Sequence, residues 1–280
     1  MKPEIPEYII DCISCGNSRF RNNFLVDRED KFAINGRRKE KPAHYFECSD
    51  CGLFTLDDIS DYQNIYSDGG YYESEDKNDT LNYIKNRFDF VVNLDHGKSD
   101  NKERIKRFLN FIDSHAASKL NILDIGAGMG VFFYELYGKI KFKGVALELD
   151  PYCTLHLKKI FKNYPFRVTN ELIENFVCDN TFEFITINRV LEHVFNPVNF
   201  LKKLKKFITK SSTIYVEVPD SESYYLGGSN DEAFGYGHYH VYSPEALIKV
   251  FNLSGYKVSE LKRCIEPSNK YTLYGFFKLK

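Results

Sequence analysis

Between residues 120 and 220, short apolar runs alternate with helical stretches, a pattern that predicts repeated βαβ units around a buried parallel sheet. The runs Leu120 to Ile125, Phe142 to Glu148, Phe166 to Thr169, Phe182 to Asn188 and Thr213 to Val218 are the predicted strands. Helices fit between them. One starts from Met129, one is opened by Asp150-Pro151 and one by Asn196-Pro197, where proline suits a first helical turn. Upstream, Ile105, Phe108, Leu109 and Ile112 recur at i, i+3, i+4 and i+7, predicting an amphipathic helix that leads into this unit. Downstream, Ser243-Pro244-Glu245 opens a further helix, and the apolar runs Tyr256 to Leu261 and Tyr271 to Leu279 add two strands. The expected fold is therefore α/β, with a seven-stranded, mostly parallel sheet whose last hairpin is antiparallel.

The first 60 residues lack such runs, and their middle, Asp27 to Lys41, is too charged to form a core. Something other than apolar burial must hold this part together. Cys12-x-x-Cys15 and Cys48-x-x-Cys51 supply it: each pair is followed by a glycine, Gly16 or Gly52, that allows a tight knuckle. Four thiolates at this spacing close a tetrahedral zinc site, so Cys12, Cys15, Cys48 and Cys51 are expected to bind one structural Zn2+ in a small zinc ribbon. A redox role would need a CxxC at the start of a helix following a strand, and neither pair has that setting. Cys153, Cys178 and Cys264 are scattered, which suits reduced thiols rather than a disulfide framework. Three regions follow: a ribbon at 1–60, a helical linker and lid at 61–118, and the α/β domain at 119–280.

Charge narrows the partners. The 38 basic and 39 acidic side chains nearly cancel, and residues 1–58 carry nine basic against eleven acidic, so no field gathers nucleic acid. The lysines of Leu201 to Phe207 lie on the solvated face of a helix whose other face carries Leu201, Leu204, Phe207 and Ile208. No apolar stretch approaches the roughly 20 residues that span a bilayer. The opening MKPEIPEYII lacks the features of a signal peptide, so a cytoplasmic protein without membrane partners is expected.

The run Asn121-Ile-Leu-Asp124-Ile-Gly126-Ala-Gly128-Met-Gly130-Val131 joins a strand to a helix through a glycine turn, which lets backbone approach a nucleoside-bearing ligand. A dinucleotide fingerprint would place its third glycine at Val131; here the glycines read GxGxG instead. That pattern favours S-adenosylmethionine (SAM), which brings no pyrophosphate but carries cationic groups suited to a carboxylate such as Asp124. The second strand ends in Glu148-Leu149-Asp150, where Glu148 is the candidate acceptor for both ribose hydroxyls and Leu149 would lie against adenine.

DIGAGMG, ELDP and the segment Asn188-Arg-Val-Leu-Glu192-His193-Val-Phe-Asn-Pro197 together resemble a class I SAM-dependent methyltransferase with a Rossmann-like fold. With the ribbon and Tyr66-Ser-Asp-Gly-Gly-Tyr71-Tyr72, the likeness extends to bacterial small-molecule and sugar C-methyltransferases. The resemblance implies that Asp124, Gly126, Gly128, Gly130, Glu148, Leu149 and the backbone near Asn188 surround SAM. It also implies that the His-rich segment Gly237-His238-Tyr239-His240-Val-Tyr242 overlies the acceptor, although its spacing departs by one residue from the sugar C-methyltransferase pattern. His240 and then His238 are the expected bases, since imidazole titrates near neutrality; His193 is a further candidate, assigned first to shaping the SAM pocket. Methyl transfer to a small-molecule acceptor, a phosphorylated or nucleotide-linked metabolite of surface-glycan or secondary metabolism, is the leading function. An RNA methyltransferase using the ribbon to hold substrate, and a non-catalytic scaffold, are the alternatives.

Overall fold

The computed structural model describes residues 11–26, 43–57, 77–115, 120–235 and 237–280. A mixed sheet dominates, built from β4 (Asn121–Ile125), β5 (Lys143–Leu147), β6 (Phe166–Thr169), β7 (Phe184–Asn188), β8 (Thr213–Pro219), β10 (Tyr256–Ile265) and β11 (Tyr271–Leu279). Its order is β10-β11-β8-β7-β4-β5-β6. The β4, β5, β6, β7 and β8 pairings are parallel, whereas β11 runs antiparallel to both β8 and β10. The seven strands and the antiparallel last hairpin agree with the apolar pattern. The strand orders diverge on either side of β4, which opens a crevice at its carboxyl end, the place where open α/β sheets bind ligands.

The expected amphipathic helix is α2 (Asp100–His115); Ile105, Phe108 and Ile112 are buried beneath it with Phe184 and Phe276. Ahead of it, α1 (Lys77–Val92) lies over α3 (Val131–Lys139) and α4 (Pro151–Ile160), with Phe88 edge-on to Tyr134 and His156. Helix α3 begins at Val131 rather than Met129, because Gly130 still holds φ +82°. The proline-started helices form as expected. Asp150, Asn196 and Ser243 cap α4, α5 (Pro197–Lys203) and α6 (Pro244–Leu253), each side chain accepting from a first-turn amide.

A buried ion network ties α2 to the sheet. Arg104 Nε lies 2.6 Å from Glu217 Oε2, and Arg107 lies 2.7 Å from Glu217 Oε1 and 2.8 Å from Glu266 Oε1. Burial alone would raise the Glu217 carboxyl, but the two guanidinium groups outweigh it and hold the group down at about 2.

The ribbon strands β1 (Phe20–Val26), β2 (Ala43–Cys48) and β3 (Phe54–Leu56) make a second, antiparallel sheet. Its fourth strand is β9 (His240–Val241), drawn from the far end of the chain, with Phe54 opposite Val241 and Thr55 opposite His240. Leu56 N also donates to Tyr239 O, and Tyr45 Oη donates to His238 O at 2.7 Å. The knuckles pack on α6: Ser14 Oγ donates to Ala246 O, and Ser243 Oγ to Cys51 O. Cys12, Cys48, Cys51 and Leu53 accordingly share one apolar cluster with Ala246, Leu247 and Val250. Among the described residues, no helix is long and apolar enough to cross a membrane.

Candidate active site

The turn after β4 owes its shape to three glycines with positive φ, +69° at Gly126, +54° at Gly128 and +82° at Gly130. They serve different purposes. A Cβ on Gly126 would collide with Val190 Cγ2, and one on Gly130 would lie 2.5 Å from Leu157 Cδ2 and 3.0 Å from the Phe161 ring. At Gly128 a Cβ would meet nothing within 4 Å, so this glycine faces open space at the mouth of the crevice. The amides of Gly126 and Ala127 both donate to Leu147 O, which fastens the turn to the end of β5.

Two carboxylates flank the turn. Asp124, 2% exposed, accepts from Thr186 Oγ1 at 2.6 Å and from Asn188 Nδ2 at 3.4 Å. Glu148, 7% exposed, accepts from Gly128 N at 2.6 Å and Asp150 N at 2.8 Å. Burial pushes both carboxyls up to about 7, against the Thr186 hydrogen bond and the Arg104 charge at Asp124 and against the two amides at Glu148. Leu149 is half-buried beside Glu148, and Asn170 braces the backbone there by donating to Glu148 O and Leu149 O. Asn188, at the end of β7, keeps a buried Oδ1 without a hydrogen-bond partner among the described residues. The candidate cofactor residues Asp124, Gly126, Gly128, Gly130, Glu148, Leu149 and Asn188 are thus gathered at the carboxyl ends of β4, β5 and β7.

The histidines divide. His193 sits in the turn after β7, with Nδ1 2.8 Å from Gly237 O, and His238 has Nδ1 2.7 Å from Ala233 O. Their rings meet edge to face at 4.7 Å. Glu192 joins them: one ligand-type atom from each of Glu192, His193 and His238 lies within 4.8 Å of the other two. His240 lies apart from this group, 2% exposed in β9, its Nε2 against Phe195 O at 3.1 Å. Burial lowers the His193 and His240 imidazoles to about 4, so both are neutral at physiological pH. The pattern of residues singled out His193 and His238 but missed Glu192 as their third member, although it stands directly before His193. Tyr71 and Tyr72 lie outside the described residues.

At the ribbon, the four cysteine Sγ atoms lie within 4.8 Å of one another, with Cys12 to Cys51 and Cys15 to Cys48 both at 3.5 Å. Zinc–sulfur bonds of about 2.3 Å place tetrahedral ligands about 3.8 Å apart, so this donor set fits the ion.

The methyltransferase-domain family matches residues 96–261 of the chain. An uncharacterized protein of Methanocaldococcus jannaschii is 25% identical over 209 residues, spanning 75% of this chain and 80% of that protein. Among solved structures, an S-adenosylmethionine-dependent methyltransferase from Clostridium acetobutylicum superposes with a TM-score of 0.54 at 12% identity, covering 71% of this chain and 98% of that one. The 1,6-didemethyltoxoflavin-N1-methyltransferase of Burkholderia thailandensis, solved with 1,6-didemethyltoxoflavin and S-adenosylhomocysteine bound, gives 0.56 at 11% identity over 83% and 97% of the two chains. The N-methyltransferase NodS from Bradyrhizobium japonicum gives 0.51 at 16% identity over 64% and 96%. At these identities the likeness to the solved structures is one of fold.

Proposed function

Because the chain belongs to the methyltransferase-domain family, we propose that it transfers a methyl group from S-adenosylmethionine to a small-molecule acceptor. The observation that carries this reading is the pairing of an open Gly128 with two buried carboxylates at the carboxyl end of a parallel sheet. When bound, SAM supplies an electrophilic methyl group on a cationic sulfonium. Asp124 offers negative charge to the cationic end of such a ligand, and Glu148 offers two acceptor oxygens to a vicinal diol. The Oδ1 of Asn188, without a partner among the described residues, is a further acceptor at the carboxyl end of β7. A site of this kind accelerates displacement chiefly by holding the reactants in line.

Glu192, His193 and His238, beyond the end of β7, stand where an acceptor would approach, and we assign activation of the acceptor to this group. His240 is given a different part: with Nε2 on Phe195 O and its backbone in β9, it joins the ribbon sheet to the turn that carries His193. In the ribbon, Cys12, Cys15, Cys48 and Cys51 would hold a structural zinc ion, all four positions being filled by protein. Regions 1–60, 61–118 and 119–280 then act as ribbon, lid and catalytic domain.

The acceptor class we favour is a phosphorylated or nucleotide-linked metabolite, such as a sugar of surface-glycan or secondary metabolism, since a near-neutral chain offers no broad basic face for RNA. An S-adenosylhomocysteine release assay run in parallel on nucleotide-sugars, small phosphorylated metabolites and bulk tRNA tests it. Release with one of the first two sets is expected. Release with tRNA alone would overturn the acceptor class, and no SAM binding by calorimetry would overturn the reaction.

A further inference from the structure

Glu192, His193 and His238 are brought together from two distant segments. The turn after β7 supplies the first two and the segment before β9 the third, and Tyr239 N donates to Glu192 O at 2.8 Å to fix them against each other. Each imidazole is oriented by main chain. The Nδ1 atoms of His193 and His238 lie 2.8 Å and 2.7 Å from the carbonyl oxygens of Gly237 and Ala233. A carbonyl only accepts, so in each ring Nδ1 carries a proton, which makes Nε2 the nitrogen with a lone pair in that tautomer. Metal-binding histidines are oriented in the same way, by one ring N–H given to a backbone carbonyl.

Glu192 completes the set. It is 1% exposed, and its Oε2 has no hydrogen-bond partner among the described residues. A buried carboxylate oxygen left in that state is costly unless a cation or donor reaches it. We infer that Glu192, His193 and His238 form a second metal site, which takes a divalent cation such as zinc or cobalt through three protein ligands and keeps an outer position for an oxygen of the acceptor. Two imidazoles and one carboxylate are a set that such borderline cations favour, and three protein ligands with an open position mark sites that engage substrate. Zinc bonds of about 2.0 to 2.2 Å place tetrahedral ligand atoms roughly 3.4 Å apart. Ligand atoms now within 4.8 Å of one another therefore need to close by at most about 1.4 Å.

The neighbouring charges set the expected strength. Arg189 acts on both Glu192 and His193, and Arg104 and Glu217 also bear on Glu192. A guanidinium this near opposes a second cation, so binding in the micromolar range is expected, in contrast to the four-thiolate ribbon. The cation itself rests on the geometry alone; its use in holding the acceptor rests on the methyl-transfer reading.

The test compares full-length protein with the Glu192→Gln/His238→Asn double variant, both equilibrated with free zinc in large excess over the expected micromolar dissociation constant and analysed by plasma mass spectrometry. The parent should hold one metal equivalent more than the variant. Cobalt added to separate preparations that carry a single zinc equivalent, in the four-thiolate ribbon, should give visible d–d bands without a thiolate charge-transfer band in the parent, and those bands should be missing from the variant. Equal metal counts in the two proteins would overturn the proposal, as would cobalt bands that survive in the variant. If the double variant fails to fold by circular dichroism, Glu192→Gln alone serves, and it should weaken the cobalt titration at least tenfold; unchanged affinity overturns the site. Calorimetry with SAM on the same preparations separates the two ideas, because a parent that binds the extra metal and no SAM refutes methyl transfer and leaves the metal site standing.

Discussion

Replacing Gly128 by alanine should separate ligand binding from stability. At φ +54° an L-residue pays about 1 to 2 kcal/mol for the left-handed conformation, partly offset by about 0.4 to 1 kcal/mol from a stiffer unfolded chain. No atom lies within 4 Å of the new Cβ, so no packing cost is added. The net is about 1 kcal/mol, a fall in Tm of roughly 2 to 4 °C for a chain of this size. Gly130→Ala carries the same backbone cost at φ +82°, and its Cβ also meets Leu157 at 2.5 Å. Overpacking adds about 1 to 3 kcal/mol, so its Tm should fall by roughly 4 to 16 °C. Binding should follow another order. If SAM lies against the Gly128 backbone, the added methyl imposes about 1 to 3 kcal/mol of overpacking on the complex, a loss of roughly 5- to 150-fold in affinity. Differential scanning fluorimetry and calorimetry with SAM measure the two quantities on one preparation. A Gly128→Ala protein that binds SAM within twofold of the parent would show that the cradle lies elsewhere.

Three further outcomes follow from the site. Burial holds Asp124 and Glu148 near pKa 7, and a cationic ligand favours their charged forms, so SAM should bind more tightly as pH rises through 7; one coupled proton costs about tenfold between pH 8 and pH 6, and calorimetry showing the opposite slope refutes the assignment. Cys48→Ser should release the ribbon metal and lower acceptor turnover, because the β3–β9 pairing and the Tyr45 bond to His238 O depend on the ribbon, while SAM affinity stays within a few-fold; metal analysis and calorimetry check this. His240→Ala should cost about 1 to 3 kcal/mol of stability by leaving Phe195 O unpaired, whereas His238→Ala should lower kcat by roughly 10²-fold or more with Tm nearly unchanged; exchanged phenotypes would return the acceptor's proton to His240.

The main sheet was legible because strands buried on both faces write themselves as continuous apolar runs, and prolines after Asp150, Asn196 and Ser243 marked three helix starts. The glycine turn and its flanking acids were equally visible, since a tight turn restricts residue type locally. The ribbon's fourth strand was not. At two residues, His240–Val241 is too short to show a period, and its partner lies near the start of the chain. The same strand explains why His240, expected to overlie the acceptor as its base, is buried instead: the pairing with Thr55 is long-range and leaves no local mark in the sequence. The cluster of Glu192, His193 and His238 was half legible, because sequence names the residue types while the approach of two segments some 45 residues apart is a tertiary fact.

The shared edge between β3 and β9 also imposes an order on biosynthesis. The strands β1, β2 and β3 leave the ribosome early, yet the segment that covers the outer edge of β3 is about 184 residues further along the chain. At about 5 to 20 residues per second, that is roughly 10 to 40 seconds during which Phe54 and its neighbours present an unpaired, apolar edge. Such an edge invites pairing with other nascent chains. A metal captured by the two cysteine knuckles would hold the hairpin in register through that interval, and a good yield of folded chain would then depend on zinc supply during translation more than on zinc supply to the finished protein.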